Sequence, residues 1–187
     1  MQPQTVLIEP DEQALMAAVQ RGDQGAFAVL VDRRHGRCFA LAWRITQDRT
    51  EAEDVVQEAF LKVWRGAGAF DAQKGVFGAW LNRIVTNCAL DRRRSLKNVT
   101  DLEDAGSVAD DRPDAERLAQ SADVRRMMAT MPPRQRAALA LFYLEGYSMN
   151  EVAEMMDSNM KSVESLLSRG RAALRTMLEP APSEAFT

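Results

Sequence analysis

The chain has 187 residues, of which 46% are hydrophobic and 27% charged, the balance of an ordinary water-soluble domain or of two small ones. No run of about 18 apolar residues is present, so no membrane insertion is expected. The start, MQPQTVLIEPDEQ, lacks the basic-then-apolar order of a secretory signal, so a cytoplasmic location is expected.

The net charge of -3 conceals a pattern. Residues 74–97 carry six basic side chains and one acidic, and residues 124–178 carry eight and five. The stretch between them, 98–123, carries two basic and eight acidic. Two cationic blocks divided by an anionic one suggest two contacts with a polyanion, joined by a linker.

The periodicity is helical throughout, with no convincing strand alternation. A first helix is expected from Glu12 to Arg21, broken at Gly22-Asp23, where Asp23 can cap the next. That second helix places Phe27, Leu30, Val31, Cys38, Leu41, Ala42 and Ile45 on one stripe. A third opens at Thr50 with Glu53 three residues on, the spacing of a capping box, and its inward stripe is Val55, Val56, Ala59, Phe60 and Val63. Beside that stripe lie Asp54, Gln57, Glu58 and Leu61, acidic with one apolar member, a surface better suited to a protein than to DNA.

After a loop marked by Gly66, Gly68 and Gly75, a fourth helix is expected from Phe77 to Ser95, with Phe77, Leu81, Ile84, Val85 and Cys88 facing in. Trp80, Arg83, Asn87, Asp91 and Arg94 form another stripe, followed by Arg92, Arg93 and Lys97. Cations can follow phosphates, an aromatic ring can stack on an unpaired base, and an asparagine offers both donor and acceptor to a base edge. The pattern dissolves from Leu96 to about Asp114, an acidic flexible linker.

Helical pattern resumes over about 115–131, breaks at Pro132-Pro133 and continues toward Gly146. Ser148 with Glu151 makes a second capping-box spacing. A short helix, the turn Asp157-Ser158-Asn159 and a last helix to about Leu178 give helix-turn-helix form. Val152, Ala153, Met156, Val163, Leu167 and Leu174 are its inward positions, and Asp157 or Asn159 can take left-handed backbone. The exposed start of the last helix shows Lys161, Ser162, Glu164, Ser165, Ser168 and Arg169, where such motifs meet the major groove, while Arg169, Arg171 and Arg175 suit phosphates.

No catalytic residue and no cofactor is indicated: GxxxxGK and GxGxxG are both missing, and His35 is the single histidine. His35 and Cys38 lack a second ligand pair, so no metal is expected, and Cys38 and Cys88 read as buried free thiols.

The segments AEDVVQEAFLKVW, FGAWLNRIVTNCALDRRR and MPPRQRAALALFYLEGYSMNEVAEMMDSNMKSVESLLSRGRAAL, in this order, resemble region two and region four of the extracytoplasmic-function sigma factors of bacterial RNA polymerase. The resemblance covers about residues 11–178 and implies an all-α chain of two small helical domains, regions two and four, joined by a flexible acidic linker. It implies a region-two domain over 1–96, a linker over 97–114, a region-four domain over 115–179 and a disordered tail over 180–187. Asp54, Gln57, Glu58 and Leu61 would contact core polymerase at the clamp coiled coil of its largest subunit, and region four the flap of the second largest. Phe70, Trp80, Arg83, Asn87, Arg92, Arg93 and Arg94 would engage minus-ten promoter DNA, Asn87 at the pocket for a flipped base. Lys161, Ser162, Glu164, Ser165, Ser168, Arg169 and Arg171 would read the minus-thirty-five element. An anti-sigma factor is the implied regulator. The chain departs from the family pattern at Asp157, where glycine is usual, and at Glu164 and Leu166, where lysine and arginine are frequent; these bear on minus-thirty-five preference. A stand-alone helix-turn-helix regulator is the alternative, though it leaves the basic fourth helix without a role. An adaptor that mimics a sigma factor would not need either basic reader.

Overall fold

A computed structural model describes residues 11–100 and 128–178, with side chains described for 11–95 and 128–176. All regular structure in these residues is helical. The first half is a bundle of α1 (Glu12–Gln20), α2 (Gln24–Thr46), α3 (Arg49–Arg65) and α4 (Phe77–Thr100), with a single 3-10 turn at Ala67–Ala69. The second half is α5 (Pro133–Leu139), continued by a π-helical turn at Ala140–Leu144, then α6 (Met149–Met155) and α7 (Met160–Leu178).

Local chemistry sets the boundaries. The Asp23 carboxylate accepts from the Ala26 amide and opens α2, and Gln47 in left-handed backbone (φ 59°) closes it. The start of α3 differs from expectation. Its cap is Asp48, in extended backbone, whose carboxylate accepts from the Glu51 amide at 2.8 Å. Thr50 therefore lies inside the first turn, and Glu53 pairs with Arg49 (3.1 Å) instead of closing a capping box. An aspartate two residues upstream is the stronger acceptor and also favours the positive end of the helix dipole. At α6 the expected capping box is present, with Ser148 and Glu151 serving each other's backbone amides.

α4 extends to Thr100, five residues beyond the expected end, into the stretch read as linker. The remainder of that linker, most of the helix expected over 115–131 and the tail lie outside the described residues.

The inward stripes pack as their spacing predicts. Leu30, Leu41, Ala42 and Ile45 from α2, Val55, Val56, Ala59 and Val63 from α3, and Phe77, Leu81 and Val85 from α4 are all essentially inaccessible to water. Cys38 and Cys88 are buried free thiols. Burial pushes the Cys38 thiol up to about 12, and raises that of Cys88 less, because Lys62 Nζ donates to its sulfur at 3.2 Å. In the second half, Val152, Ala153, Met155 and Met156 meet Val163, Leu167 and Leu141. Gly170 lets α7 approach α5: a Cβ there would sit 2.8 Å from Leu139 Cδ1.

The two halves share one apolar core. Arg136, on α5 and 2% exposed, spans the seam. Its Nε and Nη2 donate to the Ile45 carbonyl of α2 at 2.8 and 2.6 Å, while Nη1 donates to Met131 and Met128 at 2.6 and 3.1 Å. Burial lowers the Arg136 pKa to about 10, still far above neutrality, so the group is a cation held by carbonyl oxygens.

Candidate nucleic-acid and polymerase-binding surfaces

α3 and α4 each bury one stripe and offer another. On α3, Gln57 and Glu58 are exposed and Leu61 is 51% exposed, a large apolar side chain in water between polar neighbours. Glu58 pairs with Lys62 at 2.8 Å, and this hydrogen bond is the main cause that raises the lysine pKa. Asp54, partly buried, receives Arg92 from α4 at 2.5 Å. Glu51 receives Arg93 at 3.2 Å, and Arg94 pairs within its own helix with Asp91 at 3.7 Å.

The Arg92-Arg93-Arg94 run is thus divided between jobs. Arg92 and Arg93 tie α4 to α3, so they fix the exposed stripe of α3 relative to that of α4. Their distal nitrogens carry carboxylates in this conformation, which places them in an ion-pair network, not on an open cationic ridge.

The other expected DNA contacts of the first half sort by depth. Phe70 is buried, its ring 6.0 Å from Phe77 and 5.4 Å from Trp80. Trp80 is half-buried on the rim of this aromatic cluster. Phe70 therefore shapes the floor on which Trp80 rests and does not itself face outward. Arg83 is exposed, and Asn87 lies one turn along the same stripe, partly exposed.

In the second half, Lys161, Glu164, Ser165, Ser168, Arg169 and Arg171 are exposed along α7, with Ser162 partly so. Val163 and Leu167, between them, are buried, so the helix is pinned by one face and free on the other. Leu166 packs against the core instead of replacing a charge at the surface. The Asn159 side chain caps α7 by accepting from the Ser162 amide at 2.9 Å. Asp157 is the turn residue in left-handed backbone, φ 45°. Arg169 donates to Ser165 Oγ at 3.0 Å, and Arg171 reaches the Tyr143 hydroxyl at 3.4 Å.

Three polar links across the seam were not read from the sequence. Asn82 donates to the Tyr147 hydroxyl at 3.0 Å, Arg44 pairs with Glu145 at 3.5 Å, and Arg136 holds Ile45 as above. The available signal was a polar residue set against apolar positions: Arg136 directly precedes the apolar run that begins at Ala137, and Asn82 follows Leu81 into the core of α4. Such a residue demands a buried partner. Among the described residues no group of histidine, cysteine and acidic side chains is arranged to hold a metal, and no helix is long and apolar enough to cross a membrane.

A helix-turn-helix whose second helix bares a polar, cationic edge, beside a bundle with its own cationic helix, defines a helical DNA-reading protein. Comparison with known proteins makes this specific. Residues 30–99 match Sigma-70 region 2 and residues 121–174 match Sigma-70 region 4. The chain is 36% identical over 175 residues to the ECF RNA polymerase sigma factor SigM of Mycobacterium tuberculosis, covering 91% of this chain and 86% of that one. It is 32% identical over 174 residues to the ECF RNA polymerase sigma factor SigW of Bacillus subtilis, covering 86% and 92%. Among solved structures, CnrH in complex with the cytosolic domain of CnrY matches with a TM-score of 0.64 at 26% identity, covering 89% of this chain and 96% of that one. The sigma factor RpoE of Bartonella quintana, crystallised with the anti-sigma factor NepR, shares the fold with a TM-score of 0.68 at 24% identity, covering 81% and 96%. The chain belongs to the extracytoplasmic-function sigma factors, a family of transcription initiation factors.

Proposed function

We propose that this chain binds core RNA polymerase through α3 and directs it to a promoter read at two places, by α4 and by α7. The observation that carries the reading is that one chain bares a helix-turn-helix edge and, separately, the Arg83–Asn87 stripe of α4. A regulator acting on duplex DNA alone has no use for the second.

Residues 1–96 form the polymerase-binding and minus-ten part, and 115–179 the minus-thirty-five part, with 97–114 linking them and 180–187 a tail. Asp54, Gln57, Glu58 and Leu61 dock on the clamp coiled coil, where burying the half-exposed Leu61 side chain supplies apolar area and the acidic groups fix register. Region four meets the flap. Trp80, Arg83 and Asn87 hold the melted minus-ten strand, and Phe70 supports Trp80 from beneath. Arg92, Arg93 and Arg94 contribute positive potential near the backbone and exchange their carboxylate partners for phosphates. Lys161, Ser162, Glu164, Ser165, Ser168, Arg169 and Arg171 form the minus-thirty-five edge, where Glu164 favours an amino donor such as cytosine N4.

Each reader is too small to hold DNA tightly at cellular salt. Docking on polymerase fixes their separation, so the second contact becomes intramolecular. The chain performs no chemistry of its own and acts in the cytoplasm. The complexes known for CnrH and RpoE support an anti-sigma partner for this chain as well.

The test is a binding titration of labelled protein with purified core polymerase. Leu61→Ala and Asp54→Arg should each weaken the complex about tenfold or more, since each removes a contact at the centre of the docking stripe. Unchanged affinity in both would rule out α3 as the docking element.

A further inference from the structure

The turn of the helix-turn-helix holds the strongest unexplained feature of the molecule. Asp157 adopts φ 45°, a conformation that L side chains other than asparagine and aspartate rarely enter. Its carboxylate is fully used. Oδ1 receives Arg83 Nη2 at 2.6 Å and Oδ2 receives Asn87 Nδ2 at 3.0 Å, from the exposed stripe of α4 in the other half of the chain. These are the two side chains on which the minus-ten reading rests, one suited to a phosphate and one to a base edge. A carboxylate with two oxygens offers each what nucleic acid would offer.

Asp157 and Asn159 are the turn residue and cap that open α7, so the turn is seated on α4 while the reading edge of α7 stays exposed. The turn then stands in the path of the α4 reader. The seam has further support from the Arg136 bonds to Ile45, the Asn82–Tyr147 bond and the Arg44–Glu145 pair. An exposed ion pair is weak when alone, and Arg83 and Asp157 are 50% and 61% exposed at the side chain. Within one chain, and beside three other polar links, it is enough to bias an equilibrium between closed and open forms.

We propose that the free chain inhibits itself: the Asp157 carboxylate occupies Arg83 and Asn87 as a stand-in for DNA, and the halves must part before the α4 reader can engage a promoter. The proposal rests on the sigma-factor reading of Arg83 and Asn87. Its consequence is an apparent Kd for promoter binding raised by the reciprocal of the fraction of chain that is open. Glycine at position 157 would relieve the backbone strain and remove the carboxylate together, so the variant keeps the turn and loses the lock.

The experiment uses the full chain with Cys38 and Cys88 replaced by alanine and spin labels at Gln24 and Thr176, both exposed and outside the assigned binding surfaces. Pulsed dipolar distances are recorded for this protein, for Asp157→Gly, and for Asp157→Gly combined with Tyr147→Phe, which removes the Asn82 bond. The unlabelled proteins are titrated into core polymerase in run-off transcription from a promoter selected with the native chain. The proposal expects one narrow distance in the parent, a second and longer population in the variants, and a transcription midpoint lowered by about threefold or more, the size of one modest ion-pair contribution. A parent chain that is already broad in distance, or variants with an unchanged midpoint, overturns the proposal while native transcription leaves the sigma reading intact. No transcript from any form, in the presence of a narrow parent distance, overturns the sigma reading and removes the inhibitory meaning of the contact with it.

Discussion

At the scale of single residues, Arg136 has the most consequences. It is a full cation at neutral pH, buried to 2% exposure, and it is solvated entirely by carbonyls, one of them from the other half of the molecule. Arg136→Met keeps much of the volume but leaves the Ile45 and Met131 carbonyls without this donor. We expect a loss of about 2–3 kcal/mol, the range for orphaned buried acceptors once a charged donor is removed, read as the shift of the urea unfolding midpoint at constant slope. A midpoint shift below about 0.5 kcal/mol in equivalent free energy would mean that water replaces the guanidinium and that the seam does not depend on it. Asp157 makes a related point. Its neighbours in sequence mark it only as a turn residue, whereas its carboxylate finds partners 74 and 70 positions away.

At the scale of elements, most boundaries follow from capping chemistry, and the instructive case is the start of α3. Both Asp48 and Thr50 are acceptable caps by residue type, and each has a glutamate three residues on, Glu51 and Glu53. The choice goes to Asp48 because Gln47 takes left-handed backbone and ends α2, which places Asp48 in extended backbone at the first position where a new helix can begin. Asp48→Ala should therefore cost about 1 kcal/mol in thermal or urea unfolding, and Thr50→Ala only a few tenths. Equal costs would return the cap to Thr50. The same comparison shows what was legible. The inward stripes of α2, α3, α4, α6 and α7, the capping box at Ser148, a left-handed turn residue at Asp157 or Asn159, which is Asp157, and both buried thiols follow from spacing and residue type. The end of α4 does not, because Lys97 to Thr100 are permissive for helix or linker and no glycine or proline stops them. The depth of Phe70 does not either: an aromatic residue in a glycine-flanked loop reads as exposed until the cluster with Phe77 and Trp80 is seen. The pairing of Arg92 with Asp54 and of Arg93 with Glu51 is likewise invisible in a basic tripeptide, since it depends on how α3 and α4 cross.

At the scale of the whole molecule, the proposed function gives a single chain two weak DNA readers and one docking helix. Under that proposal their joint action depends on what sets the distance between the readers. In the structure it is set by Arg136, Tyr147 and Asp157; on polymerase the proposal has the enzyme set it, and the exposed groups of α4 exchange a carboxylate for nucleic acid. The most direct test of the central claim is run-off transcription by purified core polymerase and this chain over a library of genomic promoter fragments. The account predicts discrete transcripts that need the chain, and that fall about tenfold or more with Asn87→Ala, which removes a base-edge contact, and with Asp54→Arg, which disrupts docking. Retardation of duplex DNA by the chain alone, with no polymerase-dependent transcript from any fragment, would contradict it.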